Sequence, residues 1–368
     1  MLFDVAPKER REDLYDRERE LQELRDALEL GERLVVVYGV RRVGKTSLVK
    51  AGLRELEVPH VLVDVRELYY AENIIRMQAL VSRVVEGFRR QLRWYRRMGF
   101  DLRSALRRIR RIRVGDYEVE VEPGARVLLT SLLSELDAWC RRHGMRFALV
   151  LDEAQYLRFS NVRYDGVIAW AVDNLPSITL VLTGSEVGLL RDFLRVDDPE
   201  APLFGRYRRE IRVERFSREQ AVGFLLEGFR ELGVTVGEGE VEEAVERLDG
   251  IVGWLTYYGY YRAVRGMPHR EALARVFEEG SRLVLAELER AIAPSRRRYA
   301  AILWAVAHGA SRWRDIKAYV VGRTGHITDR RLSDLLKKLV KYGYLVKEGG
   351  EYRIPDPVVR RACLNLRP

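Results

Sequence analysis

The segment Gly39-Val40-Arg41-Arg42-Val43-Gly44-Lys45-Thr46 fits the spacing G-x-x-x-x-G-K-[ST] at every position. That spacing suits the grip of a polyphosphate. Glycines let backbone N–H groups curl inward around a β-phosphate, and the helix that follows turns its positive dipole end to the same charge. In such a loop Lys45 bridges β- and γ-phosphate oxygens, Thr46 offers a hydroxyl to Mg²⁺, and Ser47 completes the set of contacts. A second chemical pair lies 107 positions after Lys45, where the apolar run 147–151 ends in Asp152 and Glu153. Asp152 is expected to hold the water shell of the metal together with Thr46. Glu153, one residue further, can polarise an attacking water.

Those groups need a scaffold that brings distant segments to one edge. Residues 34–38 form a short apolar run before the loop, and 46–55 have helical spacing after it. Further strands are expected at 58–64, 147–151 and 178–182, with helical stretches at 13–30, 71–111 and 127–143. Ile112, Val114, Val119 and Val121 alternate around Gly115-Asp116, a β-hairpin signal. This alternation predicts an α/β fold with a mainly parallel sheet, and the loop at 39–46 between strand and helix makes it a P-loop NTPase sheet with helices on both faces. The gap before Asp152 requires an insertion, placed at about 71–124. After Phe216 a long stretch without strand pattern predicts a small all-helical domain. Beyond Ala293-Pro294-Ser295, three helices and a two-stranded ribbon predict a winged helix-turn-helix. The expected domains are 1–213, 214–293 and 294–368.

The composition of the 368 residues, 47% hydrophobic and 33% charged, is globular rather than disordered. No apolar run approaches the ~18–20 residues of a membrane span. Met1-Leu2-Phe3-Asp4 leads straight into alternating charges, so no signal peptide is expected. Cys140 and Cys363 have no ligand-spaced neighbours, which excludes a disulfide framework and a zinc ribbon. A reducing cytoplasm is the expected location. The net charge of +10, carried by 57 arginines and 8 lysines against 55 acids, favours an anionic partner.

Seven motifs together resemble the archaeal P-loop ATPases of the STAND and AAA+ type, relatives of the origin-recognition initiators. Tyr15-Asp-Arg-Glu-Arg-Glu-Leu21 resembles the N-terminal box near the adenine, residues 39–46 the Walker A loop, and Leu151-Asp-Glu-Ala-Gln155 the extended Walker B strand. Leu180-Val-Leu-Thr-Gly-Ser185 is similar to the sensor-1 strand and Pro202-Leu-Phe-Gly-Arg206 to the arginine-bearing element after it. Asp249-Gly-Ile-Val-Gly-Trp-Leu255 resembles the motif of the family's helical lid, which implies that 214–293 is that lid, and Tyr352-Arg-Ile-Pro-Asp-Pro357 resembles the end of the winged helix. The resemblance implies ATP or ADP with Mg²⁺ as cofactors. It gives Arg206 a role in neutralising the γ-phosphate, within the chain or from a neighbouring copy. It sets Ser185 and Thr183 near the attacking water, with a plain strand-to-helix cap as the alternative for Ser185. Arg17 either contacts the base or is structural. Val252 and Asp249 stand where the lid motif usually has proline and glycine, so a proline-mediated nucleotide contact is not expected.

Two basic surfaces bear on partners. Residues 89–113 carry eleven arginines against the single acid Asp101, among them Arg107, Arg108, Arg110 and Arg111. The third helix of the winged domain shows Arg330, Arg331, Lys337 and Lys338 on its outer face. Each is a candidate for double-stranded DNA; the alternative for the arm is a solvated segment offset by acidic patches in the fold or a partner subunit, and for the winged helix contact with protein or with the nucleotide domain. The expected function is a nucleotide switch that hydrolyses ATP, coupled to the winged helix and open to nucleotide-dependent self-association. The alternative is a regulatory scaffold that retains nucleotide with little turnover.

Overall fold

The computed structural model describes residues 1–97, 112–114, 119–121, 128–185 and 187–367. In chain order its strands begin with β1 (Leu34–Tyr38), β2 (His60–Asp64), β3 (Ile112–Val114) and β4 (Val119–Val121). There follow β5 (Phe147–Asp152), β6 (Ile178–Gly184) and β7 (Arg209–Arg212). Five of these form a parallel sheet in the order β2-β5-β6-β1-β7, while β3 and β4 pair antiparallel as the expected hairpin. Arg107, Arg108, Arg110 and Arg111 lie outside the described residues.

Side chains alternate across the sheet. Leu34 and Val36 join Val61, Val63, Leu149 and Leu180 on one face; Val35 and Val37 join Ala148, Val150, Val181 and Ile211 on the other. Because both faces are covered, the central strands read as unbroken apolar runs. The helices α1 (Glu18–Glu29) and α2 (Lys45–Glu55) cover the second face. The first is covered by α3 (Val65–Glu72), α4 (Met77–Arg97), α5 (Leu129–Arg142), α6 (Tyr164–Asn174) and α7 (Val187–Leu194).

Three local features differ from the sequence reading. The helix expected from 13 starts at Glu18, because Asp16 adopts a left-handed φ of 48° after a 3₁₀ turn at Arg11–Asp13. The stretch from 71 is split, since Asn73 ends α3 at φ 57°. Strand β7 was not expected. It is an edge strand that fully buries only Ile211, so it carries no apolar alternation to read.

The remainder is α8 (Arg218–Glu231), α9 (Glu238–Leu248), α10 (Val252–Gly259) and α11 (His269–Ile292), then α12 (Arg296–Ala307), α13 (Trp313–Thr324) and α14 (Asp329–Lys341). The ribbon β8 (Val346–Glu348) and β9 (Glu351–Arg353) and the helix α15 (Pro357–Leu364) complete the chain. Ser217 and Gln220 close a capping box at the start of α8, satisfying its first N–H groups. A single hydrophobic cluster runs through the lid and the winged domain, joining Phe224, Trp254 and Leu255 to Leu303, Leu336 and Val358. Phe3 belongs to it as well, edge-on to Phe224 and Phe229 at 5.7 and 5.1 Å. The first residues of the chain thus pack into the lid rather than onto the sheet. Among the described residues no helix is long and apolar enough to cross a membrane. Cys140 and Cys363 are free and buried, and burial pushes both thiols up to about 12.

Candidate functional site

The loop after β1 needs its glycines for steric reasons. A Cβ at Gly39 would stand 2.1 Å from the carbonyl oxygen of Val213, and Gly44 takes a left-handed φ of 94°. Helix α2 begins at Lys45, so its free N–H groups face the loop's hollow. Parallel register sets Val37 level with Thr183 and Leu151 level with Leu182. This brings Asp152, Glu153 and Ser185 to the same end of the sheet as the loop. A cavity of about 370 Å³ opens there, lined by residues 41–47, Glu153, Arg17 and the lid.

In and around it the phosphate-loop and strand-end groups all have partners. The Lys45 ammonium, 6% exposed, folds over its own loop and donates to the carbonyls of Gly39 at 3.1 Å and Val40 at 2.8 Å. Burial pushes it down to about 8, against the pull of Glu153 and Asp152. The Thr46 hydroxyl donates to Asp152 Oδ2 at 2.8 Å, and Thr183 donates to Oδ1. Burial, then the neighbouring Glu153, raises the Asp152 carboxyl above its ordinary range. Glu153 sits at a left-handed φ of 54°, and its Oε2 accepts from the Ser185 hydroxyl and from Gln155, both at 2.6 Å. Burial pushes Glu153 up, but Lys45 and Arg66 together with these two donors outweigh it, so it is held below the usual carboxylate range. A carboxylate ionised at neutral pH beside a buried lysine can accept a proton from water.

The donor set also fits a metal. Thr46 and Asp152 already share one hydrogen bond, the pairing that a Mg²⁺ held by a hydroxyl and an outer carboxylate uses. Among the described residues no group of three or more His, Cys, Asp or Glu could hold an ion unaided. Mg²⁺ would therefore draw its remaining ligands from phosphate oxygens and water.

The other expected residues divide into two sets. Ser47 lines the cavity and accepts from the Lys8 backbone N–H at 3.0 Å. Arg17 is buried and acts as a strut, bonding the carbonyls of Val43 at 3.3 Å and Glu214 at 2.8 Å with its guanidinium 4.5 Å from the centre of the Phe216 ring. Arg41 and Arg42 line the cavity and reach across to the other domains. Arg42 lies over Trp254 at 4.2 Å, and its carbonyl accepts from the Gly253 N–H at 2.9 Å. Arg41 lies over Tyr344 at 4.7 Å and donates to the Tyr342 carbonyl at 3.4 Å. Arg206 is not brought to the cavity. Its guanidinium forms a two-pronged pair with Asp173 at 2.9 and 2.6 Å, so in this conformation it does not face a phosphate bound by its own chain.

Sequence reasoning missed several wall residues. Residues 4–8, Phe216, Tyr257, Arg66 and Glu287 all line the cavity. Only Arg66 left a trace, as a charge two positions past an apolar strand. On the winged domain Arg330, Arg331, Lys337 and Lys338 are all exposed, whereas Lys341 at the end of α14 pairs with Asp192 of α7 at 2.6 Å.

The comparisons agree with this architecture. Residues 14–257 match the family described as an ATPase domain predominantly from Archaea, and 294–355 match the MCM protein C-terminal winged helix-turn-helix domain. The Walker-type ATPase PABY2304 of Pyrococcus abyssi is 38% identical, with a TM-score of 0.86 over 99% of both chains. The ORC2 protein of Aeropyrum pernix, solved as ADPNP–ADP complexes, shares the fold at 15% identity and a TM-score of 0.61, over 99% of this chain and 96% of that one. No curated protein sequence matches. A P-loop, its acidic partners and a family match over most of the chain lead to one conclusion: the chain belongs to the ATPase-domain family found predominantly in Archaea.

Proposed function

We propose that this protein binds Mg-ATP in the cavity between sheet and lid, hydrolyses it, and uses the nucleotide state to set the pose of its winged helix. The observation that carries this reading is the convergence of Lys45, Thr46 and Glu153 on one cavity, with Asp152 bonded to Thr46 behind it, and a loop that also touches the lid and the winged domain. Mg²⁺ bound at Thr46 and Asp152 would neutralise charge on the phosphates. Lys45 exchanges its loop carbonyls for phosphate oxygens, and Glu153 takes the proton of the attacking water once Ser185 and Gln155 release it. Arg206, half-exposed, would act on the nucleotide of a neighbouring copy on nucleotide-dependent self-association, after exchanging its partner Asp173 for phosphate. Double-stranded DNA is the proposed partner of the outer face of α14 and of the basic arm, in a cytoplasmic protein built of units 1–213, 214–293 and 294–368.

The test is phosphate release and Mg-ATP titration of the full chain. Turnover that disappears in Glu153→Gln while binding persists supports the reading. Wild-type protein that neither binds nor turns over Mg-ATP, with or without DNA, defeats it. A second reading, retention with slow turnover, is favoured by the double capping of Glu153 Oε2. Single-turnover kinetics separate the two: under this second reading Ser185→Ala speeds hydrolysis.

A further inference from the structure

Arg66 stands two positions past the end of β2, on the first turn of α3. Because β2 runs parallel to β5 with Asp64 level with Asp152, the register carries Arg66 to the end of the sheet where Glu153 lies. Both line the cavity with Lys45 and Thr46. Asp64 steadies the arginine in two ways. Its carboxylate accepts from the Arg66 guanidinium at 3.3 Å, and as the N-cap of α3 it accepts from the backbone N–H groups of Arg66 and Glu67 at 2.9 and 3.3 Å.

Across the cavity stands a carboxylate from the lid. Glu287, on the long helix α11, also lines the cavity and pairs with Arg41 at 3.8 Å and Arg42 at 3.7 Å. Its negative charge also acts on Arg66, whose guanidinium is desolvated by burial yet raised overall by Asp64, Glu153 and Glu287. A lid carboxylate therefore sits against two arginines of the phosphate loop, with Arg66 lining the same cavity. Arg206 offers no cation here, since it is engaged with Asp173.

We infer that Arg66 is the cation that reads the terminal phosphate of ATP within its own chain, and that Glu287 is the lid carboxylate that this phosphate displaces from the arginine cluster. The inference rests on the nucleotide reading above and goes beyond it by naming what distinguishes ATP from ADP. A planar guanidinium matches phosphate oxygens in pairs. ADP lacks the group that would reach Arg66 and leaves Glu287 with its partners. ATP brings a competing anion, so Glu287 yields and α11 is released from the loop.

Calorimetric titration of the full chain with Mg-ADP and with a non-hydrolysable Mg-ATP analogue tests this. Arg66→Ala weakens the ATP analogue by roughly 10- to 100-fold, the worth of one charged hydrogen-bonding partner, and leaves Mg-ADP nearly unchanged. Arg66→Lys recovers part of the loss. Glu287→Gln tightens the ATP analogue. Equal losses for both nucleotides in Arg66→Ala, or a weaker ATP analogue in Glu287→Gln, overturn the inference while leaving nucleotide binding at the loop intact. Wild-type protein that binds neither nucleotide removes the functional reading itself, and this inference with it. Should Arg66→Ala fail to fold, Arg66→Gln keeps a donor for Asp64, and the same contrast between nucleotides decides.

Discussion

The floor of the cavity and the outer face of α14 are both rich in charge, but they use it in opposite ways. Lys45 and Asp152 are buried, Glu153 is half-buried, and each is individually partnered, so a ligand must replace specific hydrogen bonds to enter. Arg330, Arg331, Lys337 and Lys338 stand in water on one helix face. Their attraction is general, screened by salt, and shared with any polyanion. The first arrangement selects a ligand by geometry; the second gathers ligands by field.

Substitutions probe that contrast, beginning with the largest effect. Lys45→Ala removes the lysine of the cavity floor, and ATP affinity is expected to fall by more than about 100-fold, with turnover at background. Circular dichroism should show the fold intact. Glu153→Gln is expected to cut turnover by about 10²- to 10⁴-fold while retaining ATP affinity, because it removes the proton acceptor and keeps the shape. Phosphate-release assays beside binding titrations check both.

The pH dependence should follow from the depressed Lys45 ammonium. Free protein loses this proton as pH rises through about 8, whereas bound phosphate holds it on. ATP affinity should therefore fall, by up to about tenfold per pH unit, between about 8 and the ordinary lysine range. Binding at about pH 8.5 should take up a proton, visible as a buffer-dependent heat, and stability of the nucleotide-free fold should rise across the same window, since the unfolded chain binds the extra proton there. Binding independent of pH to about 10 would place phosphate recognition elsewhere.

On the outer face the effects are smaller and collective. If α14 contacts DNA, log affinity falls linearly with log salt, and each phosphate that Lys337→Ala or Lys338→Ala leaves unneutralised lowers the slope by about 0.9. Slopes unchanged by both would exclude that face. The smallest effect is expected at Lys341→Ala, whose half-exposed pair with Asp192 contributes about 1 kcal/mol or less to docking of the winged domain.

The sequence made the cavity floor legible because phosphate chemistry demands contiguous residues at fixed spacing. Gly39, Gly44, Lys45 and Thr46 are neighbours in the chain, and Asp152 and Glu153 announce themselves by ending an apolar strand. The walls were not legible. Arg66 is one arginine among 57, and Glu287 reaches the loop from a helix more than two hundred positions away. Arg41 and Arg42 fit the loop pattern as variable positions, and nothing local says that they turn to Trp254 and Tyr344. Strand β7 has too few apolar residues to show itself, since an edge strand buries little.

The embedding of Phe3 among Phe224 and Phe229 has a consequence for biosynthesis. Residues 4–8, which follow it along the cavity wall, are translated before the sheet, yet their anchor emerges only with the lid. A nascent chain halted after the sheet would carry the phosphate loop without this wall. Purified fragments ending at 213 and at 293 should therefore differ sharply in their capacity to retain nucleotide.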